Sequence, residues 1–310
     1  MQTILGAGGA IGVELAGALR AYTSDIRLAG RNPRAVNVGD NLVRADAVNS
    51  EDVRRAVDGS DVVYLTVGLP YKTGVWKSTW PVIMRNVLDA CMAIGAKLVF
   101  FDNIYLYDSR YLDCMTEDTP VGPVSEKGAV RAQIADMLMN EVRAGNVQAM
   151  IVRSADFYGP SLRGASLLTE MVFQNYSRRR KANWLGPLDF KHSFTYTPDA
   201  GRATALLGNT DDAYNRVWHL PTAENPLTGG EWLETIARAM NVDAKYRSVS
   251  KMQLRLFGLF IPIMKEMVEM YYQYDRNYIF DSSKFLGSFD FNVTSYRDGI
   301  EEIVRMDYAG

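Results

Sequence analysis

Short apolar runs alternate with amphipathic stretches through the first half of the chain. Thr3 to Leu5, Ile26 to Ala29, Val62 to Thr66, Leu98 to Phe101 and Ala149 to Val152 each predict a buried strand. Helical stretches lie between them. Leu15, Ala16, Leu19 and Arg20 continue a helix that opens at Gly9 to Gly12, and Val53, Ala56 and Val57 mark another that Asn49 or Ser50 can cap. Strand and helix repeated in this way predict an α/β fold, a parallel sheet wrapped on both faces by helices, because each parallel crossover needs a connection of that length. After Arg153 the pattern loosens, with turns at Gly159-Pro160, Gly186-Pro187, Pro198-Asp199 and Asn225-Pro226, and this half reads as an appended lobe. No internal repeat and no low-complexity segment interrupts the pattern.

Composition narrows the classes of function. A chain of 310 residues, 47% of them hydrophobic, exceeds the usual size of one domain and fits a large domain with a smaller lobe. Its net charge of -2 supplies no overall field for nucleic acid or an anionic membrane, so neither is an expected partner. The longest apolar run, Leu256 to Met264, is closed by Arg255 and Lys265 and is too short to span a bilayer, so a soluble protein is expected. The first residues show no basic region leading into an apolar stretch and cleavage site, so no export is expected. Cys91 and Cys114 form neither a disulfide framework nor a metal-binding spacing, which suits a reducing cytoplasm. With His192 and His219 as the only histidines, far apart in sequence, no metal site is expected.

Gly6-Ala7-Gly8-Gly9-Ala10-Ile11-Gly12 follows the first strand directly and opens the first helix. Bare backbone N–H groups and the positive helix end therefore stand where a pyrophosphate can rest. A tight turn with no ligand is the alternative, and the strand, helix and second strand around the glycines favour dinucleotide binding. The second strand ends not in an acidic residue for the ribose hydroxyls but in Gly30-Arg31-Asn32-Pro33. A guanidinium there matches a 2'-phosphate, so NADP is expected in preference to NAD, against the alternative of a solvated loop cation.

The spacing Gly6-x-x-Gly9-x-x-Gly12, Asp46 after the third strand, Asn86 in a helix leading to Ala90-Cys91, and Arg153-Ser-Ala-Asp-Phe-Tyr-Gly-Pro160 together resemble the short-chain dehydrogenase/reductase superfamily, in its NAD-dependent epimerase/dehydratase branch. The resemblance implies a doubly wound Rossmann domain over residues 1–157 and about 192–222, with a discontinuous substrate lobe over about 158–191 and 223–310. It also implies that Asp46 lies near the adenine, that Thr66, Val67 and Gly68 pass beside the cofactor, that Asp156 contacts substrate, and that a homodimer is possible. The superfamily's Ser and Tyr-x-x-x-Lys set is missing. Matching Phe101 to Tyr107 onto the serine strand puts Asn103 at the serine position; matching Ser125 to Arg131 onto the tyrosine helix puts Lys127 and Arg131 at Tyr and Lys.

By that match Arg131 holds the ribose, Asn103 orients a carbonyl without ionising, and Lys127 replaces the tyrosine as proton donor. A lysine does so only where its surroundings disfavour the ammonium; the alternative is a cation pair that merely grips NADP. Tyr105 and Tyr107, expected on one side of a strand, are a displaced proton donor or pocket packing. Tyr71, Trp76 and Trp80 after the fourth strand read as pocket walls or as helix packing with Pro81 in the first turn, and Asp156 as substrate contact or a cap. His192 and His219 read as structural. Met264, Met267, Met270, Tyr271 and Tyr274 read as one apolar helix face for the core or a greasy substrate, and Arg178-Arg-Arg-Lys181 as a solvated helix end or a phosphate contact. The expected function is an NADP-dependent oxidoreductase or epimerase acting on a small carbonyl, alcohol or sugar-like substrate. The rival is a non-catalytic NADP sensor.

Overall fold

The computed structural model describes residues 1–162 and 164–309. In chain order come β1 (Gln2–Leu5), α1 (Ala10–Leu19), β2 (Ile26–Gly30), β3 (Asn41–Arg44), α2 (Ser50–Val57), β4 (Val62–Leu65), α3 (Thr73–Ile94) and β5 (Lys97–Asp102). They are followed by α4 (Glu126–Arg143), β6 (Ala149–Arg153), β7 (Asp156–Tyr158), α5 (Gln174–Ser177), β8 (Ala182–Leu185), β9 (Phe194–Tyr196), α6 (Thr197–Gly208) and β10 (Val217–His219). The last stretch holds α7 (Gly229–Ala239), β11 (Tyr246–Val249), α8 (Lys251–Phe257), α9 (Pro262–Val268), α10 (Ser283–Ser288) and α11 (Tyr296–Ile303).

The chain forms two units. One gathers Met1–Leu106, Glu126–Arg153 and Ala200–Leu220; the other gathers Tyr107–Ser125, Ser154–Asp199 and the chain from Pro221 onward. Against the limits expected near 157, 192 and 222, residues 107–125, 154–157, 192–199 and 221–222 group with the second unit. Backbone bridges join two of these segments to it, Met115 pairing with Phe280 and His192 with Tyr278, while Tyr107 pairs with Val121 inside the 107–125 segment.

The first unit is built on a parallel sheet of order β10-β6-β5-β4-β1-β2-β3. Val62 to Leu65 and Leu98 to Asp102 are buried throughout, as continuous apolar runs in the middle of a parallel sheet must be. From β1 the chain winds outward to β2 and β3, then returns to β4 on the other side of β1, so the winding reverses between the adjacent strands β1 and β4, the switch point where such sheets take ligands. Helix α3 packs between α2 and α4. Asn49 caps α2, its side chain accepting from the N–H groups of Glu51 and Asp52. Helix α3 begins at Thr73, so Pro81 lies in its interior rather than its first turn. The missing N–H is tolerated because the flanking Trp76, Trp80, Ile83 and Met84 are all buried.

The second unit has two small parallel pairs, β7 with β9 and β8 with β11. Its main core surrounds Trp232, with Tyr158, Phe194 and Tyr296 about the indole and Phe173, Tyr176 and Ile300 beyond them. The methionine and tyrosine stripe is not one helix face: α9 stops at Val268, and a short tight turn at Tyr271 to Gln273 follows. Met264 and Met267 pack on Leu185, Val249, Leu254, Tyr271 and Tyr274. Both cysteines are free thiols, Cys91 buried and Cys114 exposed. Among the described residues no helix is long and apolar enough to cross a membrane, and no group of three His, Cys, Asp or Glu could hold a metal ion.

Candidate active site

The glycine turn ties the ends of β1 and β4 together. The Gly6 N–H donates to the Ala29 carbonyl, while the Thr66 N–H and hydroxyl both donate to the Leu5 carbonyl at 2.8 and 3.2 Å. Gly6 has φ of +98°, and a Cβ there would stand 2.6 Å from the Val67 nitrogen. At Gly12 a Cβ would stand 2.6 Å from the Gly6 carbonyl oxygen. Both positions are therefore glycine for the fold's own sake. Gly9 differs: it is the N-cap of α1 with φ of -82° and no side-chain cap, and a Cβ there would meet nothing closer than 3.4 Å. Gly8 has nothing within 4 Å. The protein's own packing demands glycine at neither place. A bare N-cap beside the open space at Gly8, before the N–H groups of Ala10, Ile11 and Gly12, fits a pyrophosphate, and the residues present thus suit a dinucleotide.

The other residues expected at the cofactor lie at strand ends of the same sheet. Arg31 is exposed directly after β2, and Val67 and Gly68 follow β4. Asp46, also exposed, shapes the turn into α2: its Oδ1 accepts from the Val48 N–H and its own N–H donates to Asp52. Asn86 on α3 fastens that turn through the carbonyls of Ala47 and Val48, at 3.1 and 2.9 Å.

Beyond the ends of β4 and β5 the same unit gathers most of the residues expected in catalysis. Lys127, on the second residue of α4, is fully buried, with Nζ 2.9 Å from the Thr73 hydroxyl and 4.6 Å from the centre of the Tyr71 ring. Tyr71 meets the edge of Trp76, and Trp76 stacks on Tyr105 at 6.2 Å and 15°. Strand β5 ends at Asp102, so Asn103 and Tyr105 lie in the following turn rather than a strand, and Tyr107 makes an isolated bridge to Val121. Asn103 Oδ1 accepts the Tyr105 N–H at 3.1 Å, which bends the chain there. Trp76 and Trp80 sit on α3, both buried, rather than on a loop.

Arg131 lies one turn beyond Lys127. Its Nε donates to Asp102 Oδ1 at 2.6 Å, one Nη reaches the Phe101 carbonyl, and its face lies 4.5 Å from the centre of the Trp80 ring. Arg153 Nε approaches the other Asp102 oxygen at 3.4 Å. The sheet register explains the meeting, since Asp102 pairs with Arg153 across β5 and β6. Sequence reading passed over Asp102. Its signal was one charged residue closing the apolar Leu98 to Phe101 run, level with the charge that closes β6. Thr73 carried no signal of its own.

Tyr107 and Asp156 belong to the second unit. Tyr107 is buried beside the Val121 bridge. Asp156 Oδ2 accepts from the Tyr274 hydroxyl at 2.6 Å and lies 3.1 Å from His192 Nε2, and the imidazole is stacked on Tyr274 and Tyr278. His192 is thus a packed group, as expected, but with a carboxylate and a phenol joined to it. The sequence had put Tyr274 in a helical stripe and so could not anticipate the pairing. His219 is fully buried at the end of β10.

Solved structures share this fold. A UDP-glucose 4-epimerase from Thermus thermophilus, in complex with NAD, is similar over 99% of this chain and 98% of its own, with a TM-score of 0.79 and 16% identity. A dTDP-glucose 4,6-dehydratase double mutant from Streptomyces venezuelae, with NAD bound, gives a TM-score of 0.79 at 17% identity over 99% of this chain and 96% of its own. A UDP-N-acetylglucosamine 4-epimerase from Bacillus cereus gives 0.77 at 16% identity over 99% and 96%. No curated protein matches the sequence. Residues 3–218 match the sequence model of one family, whose span takes in the glycine turn, the aromatic and cationic cluster and the whole parallel sheet except its first residue and its last. The chain belongs to the NAD-dependent epimerase/dehydratase family of enzymes.

Proposed function

We propose that the protein is an NADP-linked oxidoreductase or epimerase that acts on a small carbonyl, alcohol or sugar-like substrate and uses Lys127 in place of tyrosine. The observation that carries the reading is the full burial of Lys127, with Nζ held by Thr73 against the Tyr71 ring at the end of the sheet. An ammonium removed from water costs several kcal/mol unless its surroundings use it, so a solvated surface role does not account for it. The site lies in the same unit as the bare N-cap of α1.

A bound nicotinamide dinucleotide would supply hydride to, or accept it from, the substrate carbon. In the reducing direction Lys127 Nζ gives its proton to the carbonyl oxygen, and in the oxidising direction the free amine takes the hydroxyl proton. The Thr73 hydroxyl fixes Nζ in place for that exchange. With its Oδ1 occupied by the Tyr105 N–H, Asn103 offers Nδ2 to orient the same oxygen. Arg131, anchored by Asp102, turns its remaining Nη hydrogens to the ribose; Tyr71, Trp76 and Tyr105 wall the substrate. Arg31 takes the 2'-phosphate.

Calorimetry with NADPH and NADH on the parent and on Arg31→Asp tests the cofactor, and a panel of carbonyl compounds compared between the parent and Lys127→Met tests the chemistry. The expected result is tighter binding of NADPH that Arg31→Asp erases, and a rate lowered about a hundredfold or more in Lys127→Met at unchanged NADPH affinity. Parental turnover by a folded Lys127→Met protein would remove the lysine from the mechanism. Tight NADPH binding with no turnover by the parent would instead favour the sensor.

A further inference from the structure

The active-site reading absorbs neither of two sequence features: the apolar run Leu256 to Met264 and the basic run Arg178 to Lys181. Both lie in the second unit. Helices α8 and α9 form a hairpin whose inner side is satisfied, Leu254, Met264 and Met267 packing into the core beside Leu185 and Tyr274. Its outer tip is not: Leu259 is 75% exposed and Phe260 82%, and Leu256, Phe257, Ile261 and Ile263 are exposed around them.

The tip is an ordered structure. Gly258 N–H bonds to the Leu254 carbonyl, Phe260 and Ile261 both bond back to Phe257, and Pro262 starts α9. A Cβ on Gly258 would stand 3.0 Å from the Lys265 backbone, so the two helices meet closely. A hydrogen-bonded turn thus holds large apolar side chains outward, where an ordinary soluble surface scatters them singly.

The charge around the tip selects its partner. Residues 244–265 contain Lys245, Arg247, Lys251, Arg255 and Lys265 and no carboxylate, with Asp243 and Glu266 immediately outside; Lys245 pairs with Asp243 at 3.0 Å, which leaves Lys251, Arg255 and Lys265 as the cations of the hairpin itself, in a chain whose net charge is -2. The parallel pairing of β8 with β11 sets Arg178 to Lys181 beside Lys245, at the start of the pair rather than at the end that leads into α8, so this run does not belong with the cations of the tip. Lys251, Arg255 and Lys265 are exposed.

We propose that the α8–α9 hairpin docks this unit on an anionic lipid surface, with Leu259 and Phe260 entering the interface and the surrounding cations meeting headgroup phosphates. Apolar side chains ringed by Lys and Arg are what such a surface binds. A second copy of the chain fits less well: in a two-fold contact the same patch faces itself, and Lys251, Arg255 and Lys265 would confront their own counterparts. The contact is with the surface alone, since no described helix is long and apolar enough to cross a bilayer.

The test is co-sedimentation of the full-length protein with phosphatidylcholine vesicles, with and without phosphatidylserine. Two variants accompany it, Leu259→Asp with Phe260→Asp, and Lys251→Gln with Arg255→Gln and Lys265→Gln, each checked for an unchanged thermal melt. The parent is expected to bind the serine-containing vesicles and to lose about tenfold or more in binding to phosphatidylcholine alone, in either variant, or in high salt. A Phe260→Trp protein is expected to shift its emission to the blue on the same vesicles. No vesicle binding by the parent, or equal binding by the two-aspartate variant, overturns the proposal. A parent that sediments as a dimer without binding vesicles, and as a monomer with the two aspartates, overturns it in favour of self-association.

Discussion

Four glycines in seven residues carry different duties, and substitution separates them. Gly12→Ala places a methyl 2.6 Å from the Gly6 carbonyl oxygen, where backbone must move. It is expected to cost about 1–3 kcal/mol, visible as a lower denaturation midpoint. Gly9→Ala meets only ordinary contacts. Calorimetry and thermal melting are expected to show lost dinucleotide affinity at a nearly unchanged melting temperature. Asp102 is the second discriminating site. Asp102→Asn takes the full carboxylate from the buried Arg131 guanidinium and is expected to destabilise by about 3–5 kcal/mol in urea titration. Both residues show where sequence reading was strong and where it was blind. The spacing of glycines is local and survives in one dimension. An ion pair across neighbouring strands is visible only once the register of β5 and β6 is known.

Helices and strands were legible to different degrees for physical reasons. The five apolar strands and the cap at Asn49 were plain, because burial and capping are written in adjacent residues. The extent of α3 was not, because Pro81 reads as a start when eight helical residues in fact precede it and hold through buried tryptophans. The bent turn after β5 was likewise hidden, since Asn103 makes it with a side chain and the tyrosines alternate as if on a strand. Helix α7 shows how much one cap supplies. Thr228 accepts the Glu231 N–H while the Glu231 carboxylate accepts the Thr228 N–H at 2.7 Å. Thr228→Ala is expected to lower stability by about 1 kcal/mol, read from the denaturant midpoint.

In both units, carboxylates that accept backbone and side-chain hydrogen bonds contribute to the response to acid. The Asp46 N–H and then Arg55 hold Asp52 below its usual range; Asn146 and Arg85 do so for Glu141, and the Thr228 N–H for Glu231. Such groups bind protons more weakly folded than unfolded, so their contribution is complete above the ordinary carboxylate range and is lost as pH falls through the lowered values. Because none of these groups is buried, their effect is small: thermal melts are expected to change little from roughly pH 7 to pH 5 and to decline gradually below that, slightly less so in Glu231→Gln.

The sheet's last strand has a consequence for how the protein is made. Strand β6 is buried along its whole length and flanked by β5 and β10, yet β10 follows it only at Val217. A nascent chain released from the ribosome as far as β6 therefore carries an apolar strand with one open edge, and must synthesise the intervening segment before that edge can close. Open apolar edges recruit other strands, so translation through this interval is the period when the polypeptide most needs a holding chaperone. A fragment ending at Arg153 is expected to aggregate on expression, and one extended through Leu220 to be less prone to do so.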